Sequence, residues 1–189
     1  MKKLLLIVTV LSLSLSFAGE MGLSAYGGLN MAGVSHDPAI DDSGMKPGLA
    51  FGVQYNKLPV ILGAGISMRG ETIKESEVAG VTMSGSSSYM YLDLSATYPY
   101  AVGPGNVWAG LDIGINLSAE STVEIAGAEV SGDIEDVEMD YGLLFGYTYP
   151  INETMGVFAS YYLGLAEIVA DSKAKHNGIG LGISYSLPY

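Results

Sequence analysis

Large apolar residues recur at every second position through most of this chain, set between glycine, serine and other small or polar residues. Leu49, Phe51, Val53 and Tyr55 alternate with Ala50, Gly52, Gln54 and Asn56. Leu62, Ala64, Ile66 and Met68 follow the same rule, as do Met90, Leu92, Leu94, Ala96 and Tyr98. So do Val107, Ala109, Leu111, Ile113, Ile115 and Leu117; Met139, Tyr141, Leu143, Phe145 and Tyr147; and Met155, Val157, Ala159, Tyr161, Leu163 and Leu165. The last run is Ile179, Leu181, Ile183, Tyr185, Leu187 and Tyr189, and a weaker first one holds Leu23, Ala25, Leu29 and Met31. A period of two predicts β-strands with one apolar and one small or polar face.

The pattern yields eight strands of about 9–13 residues, against the ~9–11 of a tilted membrane strand and the ~5–6 of a typical soluble one. Their connections alternate in length. Residues 33–46, 71–87, 119–136 and 167–177 form long links, whereas 56–59, 99–106 and 150–153 are shorter. Within the third long link, Thr122–Ile125 and Ala128–Ser131 alternate around Ala126-Gly127, which predicts a hairpin above the barrel. An even strand count with alternating short turns and long loops is the plan of an up-and-down transmembrane β-barrel, with both chain ends on the short-turn side. Tyr55, Tyr98, Tyr100, Tyr147, Tyr149 and Tyr189 sit at the short-turn end, and Tyr89, Tyr91, Tyr141 and Tyr161 lie toward the other rim. Both positions suit a bilayer interface. The opposite face is too small and polar for the core of a soluble sandwich, although an exported lipocalin-like binder shares the strand pattern.

Composition sharpens this picture. The 189 residues include 26 Gly and 13 Tyr but no Cys, which excludes a disulfide scaffold, a Cys-ligated zinc site and a lipoprotein anchor. A net charge of −12 argues against nucleic acid as a partner. Lys2 and Lys3, the apolar run Leu4–Leu15 and the small-residue site Ser16-Phe17-Ala18 before Gly19 predict a signal peptide over residues 1–18. The barrel domain is then residues 19–189, and export leads to the outer membrane of a Gram-negative-type bacterium.

Short motifs in these strands resemble the PorT-like outer-membrane β-barrel domain, within the wider OmpA/OmpX-like eight-stranded barrels. They are Gly27-Gly28-Leu29-Asn30-Met31, Lys46-Pro47-Gly48-Leu49-Ala50-Phe51-Gly52, Ser67-Met68-Arg69-Gly70 and Tyr91-Leu92-Asp93-Leu94. Asp140-Tyr141-Gly142-Leu143, Tyr161-Tyr162-Leu163-Gly164-Leu165 and Gly180-Leu181-Gly182-Ile183-Ser184-Tyr185 complete the set. The resemblance implies an outer-membrane barrel embedded in lipid. The secretion role associated with PorT itself does not follow from fold. The alternating end Tyr185, Leu187, Tyr189 resembles the C-terminal signal read by the barrel-assembly machinery, with Tyr where Phe is commoner.

Eight strands leave an interior that side chains fill, so no wide solute pore is expected. Arg69, the chain's single arginine, points inward by alternation, as do Asp93, Asp112, Glu138 and Asp140. Buried carboxylates need a cation or a proton, so Arg69 is expected to pair with Asp93, Asp112 or Asp140 as a lumen network; a gate or proton relay is the functional alternative. Acids crowd the long loops, with Asp133, Glu135 and Asp136 as candidate ligands for divalent cations or a basic surface partner. They lack the turn glycine and distal glutamate of an EF-hand. His36 and His176 are the only histidines and fall in the first and last long links, which ring closure brings together. With Ser35, Asp37 and Asp171 they offer a lipid-modifying site, but no ordering motif surrounds them, and they read as solvated loop residues. No cofactor motif is present, since Gly178, Gly180 and Gly182 lie in a strand with no helix after it. The chain therefore reads as a non-enzymatic barrel with a structural or surface-interaction role.

Overall fold

The computed structural model describes residues 22–37, 43–56, 59–78, 81–187. The proposed signal peptide over residues 1–18 and the terminal Tyr189 lie outside them. Among these described residues nine strands follow one another: β1 Leu23–Ser35, β2 Ser43–Tyr55, β3 Ile61–Val78, β4 Val81–Val102, β5 Gly105–Ile125, β6 Ala128–Asp133, β7 Asp140–Pro150, β8 Met155–Gly164 and β9 Lys175–Ser186. Every pairing is antiparallel. Eight strands close a ring in the order β4-β3-β2-β1-β9-β8-β7-β5, with β4 returning to β5. Closure comes from β1 on β9, paired from Ser24↔Ser186 to Ser35↔Lys175. The eight-stranded up-and-down barrel expected from the pattern is therefore the fold, and β6 is an arm outside the ring.

Alternation sets the two faces. Outward, the ring strands expose Leu29, Leu49, Leu62, Leu94, Leu111, Phe145, Val157 and Leu181, one from each, with Leu29 at 64% and Leu181 at 60% accessible. Tyr141 and Tyr161 share this face, as do Tyr98, Tyr100 and Tyr149 at the short-turn end. Tyr89 and Tyr91 do not: they are buried and point inward, contrary to an interfacial role.

The long links are shorter than the sequence pattern suggests, because strands continue into them. β3 and β4 stay paired as far as Val78↔Val81, so most of the link over 71–87 is a hairpin rather than a loop. β4 and β5 span 22 and 21 residues, about twice the ~9–11 a membrane crossing uses. The hairpin foreseen around Ala126-Gly127 is present. Its two turn residues have φ of 52° and 82°, the paired positive values of a tight turn matched to strand twist. At the opposite end β4 and β5 turn at Gly103-Pro104, with Gly103 at φ 58°, so the link over 99–106 is mostly strand. A register shift between Met90 and Tyr91 reverses the alternation of β5 above it. Ala119, opposite Tyr89, consequently faces inward and is buried.

Candidate functional site

The chemistry concentrates inside the barrel, on four strands that are neighbours in the ring. One row of the sheet runs Gly65↔Asp93↔Gly114↔Asp140, across β3, β4, β5 and β7. Arg69 stands four residues above Gly65 on β3, and Asp112 two residues below Gly114 on β5. Strand tilt carries the guanidinium over this row. Arg69 Nη2 donates to Asp93 Oδ1 at 2.6 Å and to Asp112 Oδ2 at 3.0 Å, and Nη1 donates to Asp140 Oδ2. Nε donates to Ser67 Oγ at 3.2 Å. Every nitrogen of the guanidinium is thus engaged, the planar fork serving three carboxylates that a point charge could not reach together. Arg69, Asp112 and Asp140 are all buried. Glu138, placed inward by alternation, is exposed instead. The chain between β6 and β7 leaves the sheet there, and the Glu138 amide bonds to Ile168 O at 2.9 Å.

Two tyrosine rings sandwich the guanidinium. Its Cζ lies 4.2 Å from the centre of Tyr162 and 4.8 Å from that of Tyr91. Glycine makes both approaches possible: a Cβ on Gly142 would lie 2.8 Å from the Tyr162 ring, and one on Gly114 would lie 3.0 Å from Tyr91. These cation–π contacts suit a desolvated arginine.

Above this layer the loop end is closed by an apolar cap. Val34, Tyr89, Tyr91, Ala119, Ile168 and Ala174 form a buried cluster, with Ile134, Val137 and Val169 packed against it. The β6–β7 and β8–β9 links fold inward to make it, joined by the bridge Val137↔Val169. His176 lies beneath, on β9 rather than in a solvated loop, and is only 1% accessible. Its Nε2 is 3.2 Å from the Tyr91 hydroxyl, and its ring packs edge-on against Tyr89 and Tyr91. His36, just past β1, pairs through Nε2 with Glu71 Oε2 at 2.8 Å. Ser35 Oγ donates to the Lys175 carbonyl. The register Val34↔His176 brings the two histidines to one edge, yet each has its own partner and no shared one.

Below the ionic layer, a cavity of about 480 Å³ runs to the short-turn end. Tyr26, Gln54, Ser95, Thr97, Trp108, Thr148 and Phe158 line its walls, and Asn106, Asn152 and Glu153 stand at its mouth.

The candidate loop acids lie elsewhere. Asp133 ends β6 opposite Glu120, and Glu135 and Asp136 are exposed in the next link. Among the described residues no three His, Asp or Glu side chains are grouped to hold a metal ion. On one face of the β5–β6 arm, Glu120 opposes Asp133 and Glu124 opposes Glu129, with a Thr122–Ser131 hydroxyl contact of 2.9 Å between these like-charged pairs. Of the C-terminal signal residues, Tyr185 faces outward on β9 and the Leu187 amide bonds to Leu23 O at 2.9 Å.

The fold defines an eight-stranded antiparallel barrel with a filled loop end. No protein-family model matches the chain, and no curated protein does. Among solved structures it is similar to Neisserial surface protein A (NspA), with a TM-score of 0.56 and 12% identity, covering 87% of this chain and 97% of that one. It is also similar to Ail, the attachment invasion locus protein of Yersinia pestis, with a TM-score of 0.48 and 14% identity over 87% of this chain and 98% of that one. The likeness to NspA is one of fold.

Proposed function

We propose that the protein is an integral outer-membrane barrel, non-enzymatic, with a structural or surface-interaction role. The observation that carries this is the outward belt of large apolar side chains, drawn from every strand of the ring. Soluble monomers rarely expose a contiguous apolar patch above a few hundred Å², whereas a closed barrel in lipid requires such a belt and satisfies its backbone within the wall. In this reading the protein is exported by the signal peptide over residues 1–18. The short turns face the periplasm, and the arms and acidic loops face outward. Asp133, Glu135 and Asp136 then belong to a crown that meets divalent cations, anionic lipid headgroups or a basic partner. Tyr185, Leu187 and Tyr189 form the end recognised by the barrel-assembly machinery. The PorT-like resemblance is part of this proposal and rests on the glycine and aromatic motifs of the strands.

The lumen is read as plugged. The apolar cap and the Arg69 layer lie one behind the other across it, and planar-bilayer recordings should show no steady conductance. The membrane reading is tested by heat-modifiable migration in SDS gels together with extraction only by detergent. Recovery of folded protein in the soluble fraction would overturn it. The rival reading as a lipid-modifying enzyme is tested by lipid analysis of cells carrying His36→Ala and His176→Ala; an altered lipid profile would favour it.

A further inference from the structure

The cavity below the Arg69 layer is blind at that end and opens among the short turns, so it is a pocket rather than a passage. Its charge is lopsided. Among the described residues the charged groups lining it are Arg69 against Asp93, Asp112 and Glu153, with Asp140 on the far side of the same guanidinium. Three carboxylates thus share one cation at the blind end, and the deficit of positive charge is met by a proton or by a cation. Asp112 is 4% accessible and meets Arg69 through Oδ2. Buried polar groups of this kind call for a partner with N–H or O–H groups.

The walls select the kind of cation. Tyr26 and Phe158 meet edge to face at 6.2 Å, and Trp108 closes another side with its Nε1 held by Thr148 Oγ1 at 3.0 Å. Aromatic faces attract ammonium groups and cover hydrocarbon at the same time. A metal ion is a poorer fit, because the three aspartates converge on the Arg69 guanidinium and, among the described residues, no three His, Asp or Glu side chains are grouped to hold one. At about 480 Å³ the pocket lies within the ~300–1,000 Å³ range of small-molecule sites.

We infer that the turn-end half of the lumen is a binding pocket for a small organic amine, an aliphatic mono- or diammonium ion whose charged head sits at Asp112 and Asp93 and whose chain lies against Tyr26, Phe158 and Trp108. The site faces the compartment of the short turns and needs no opening of the cap.

Trp108 is the chain's single tryptophan, so its emission reports the pocket directly. Purified barrel in detergent is titrated with 1,4-diaminobutane, with butanedioate and with calcium chloride at matched ionic strength. The expected result is a saturable change with the diamine alone, confirmed by calorimetry. No saturable response, an equal response to butanedioate, or competition by calcium at equal concentration would each overturn the inference. Asp112→Asn should weaken diamine binding at least tenfold, and wild-type affinity in that variant would also overturn it. Should Asp112→Asn fail to fold, Ser160→Phe fills the pocket from a wall away from the ion pairs and must abolish the response. Heat-modifiable migration of the same samples keeps failure of this inference distinct from failure of the membrane reading.

Discussion

Replacing Arg69 with Met keeps much of the side chain's bulk and removes its charge. Asp93, Asp112 and Asp140 then lose their shared partner, and Ser67 Oγ loses a donor. Removing one partner from a buried ion pair costs about 3–5 kcal/mol, since the stranded charge stays desolvated. Three acids are stranded here, but two of them, Asp93 and Asp112, line the cavity and can be hydrated from it. Asp140 is only 2% accessible and has no such relief. The expected loss is therefore about 3 kcal/mol, the lower end of that range, with most of it tied to Asp140. Urea titration of the barrel refolded into lipid vesicles, followed by Trp108 emission, measures it. Adding Asp140→Asn to the Met variant should recover a large share, whereas Asp140→Asn alone should destabilise. The deficit should also shrink from neutral to mildly acid pH, because a protonated carboxyl needs no cation. A loss below about 1 kcal/mol, the scale of an exposed pair, or a loss independent of pH would refute the claim that this network holds the lumen together.

Three further outcomes follow from the same structure. Leu111→Arg, on the outward face, should cost about 2–4 kcal/mol in a bilayer, while Gln54→Ala on the lumen wall should change stability little; equal costs by urea titration would contradict the lipid-facing assignment. Tyr91→Phe removes the hydroxyl that meets His176 Nε2 and should cost about 1 kcal/mol, read from the shift of the unfolding midpoint. Gly146→Ala places a Cβ against the Trp108 indole, and this overpacking should cost about 1–3 kcal/mol and shift the tryptophan emission, whereas an unmoved spectrum would show that the indole is not lodged there.

The barrel was legible because its wall has an apolar outward face and a small or polar inward one, which writes alternation into every ring strand. Arg69 stood out for a similar reason: one inward arginine among inward acids has few other places to go. Its choice of partners was not legible, since tilt and register decide which acids fall beneath it, and here they bring all three candidates within reach. The upper part of the β3–β4 hairpin escaped notice, although the β5–β6 arm did not. Residues such as Ser84, Ser86 and Ser88 carry no apolar signal, although they lie within β4. The cap was hidden in another way, because Ile134, Val137, Ile168 and Val169 are scattered among acids with no period to mark them. His176 could have been found. Extending the inward parity of Gly178 and Gly180 two residues upward puts it in the lumen, as the structure does. Glu138 shows the converse error, in which parity was carried past the point where the chain leaves the sheet.

The placement of the ionic layer bears on how the ring can be completed. Arg69, Asp93, Asp112 and Asp140 come from β3, β4, β5 and β7, consecutive staves of the wall, and β1 and β9 contribute none of them. Inside the join between first and last strands, Gly28 instead stands against Gly182 and Tyr26 against Ser184. Among the described residues no ion pair bridges that join. As long as the remaining staves hold their curvature, the join can part and re-form by exchanging main-chain hydrogen bonds, which another β-edge can supply in passing, and the side-chain bond from Ser35 to the Lys175 carbonyl. The electrostatic clasp is thus fastened on one side of the cylinder and the zip is on the other, so a late-closing barrel need never uncover its buried charges while the join is open.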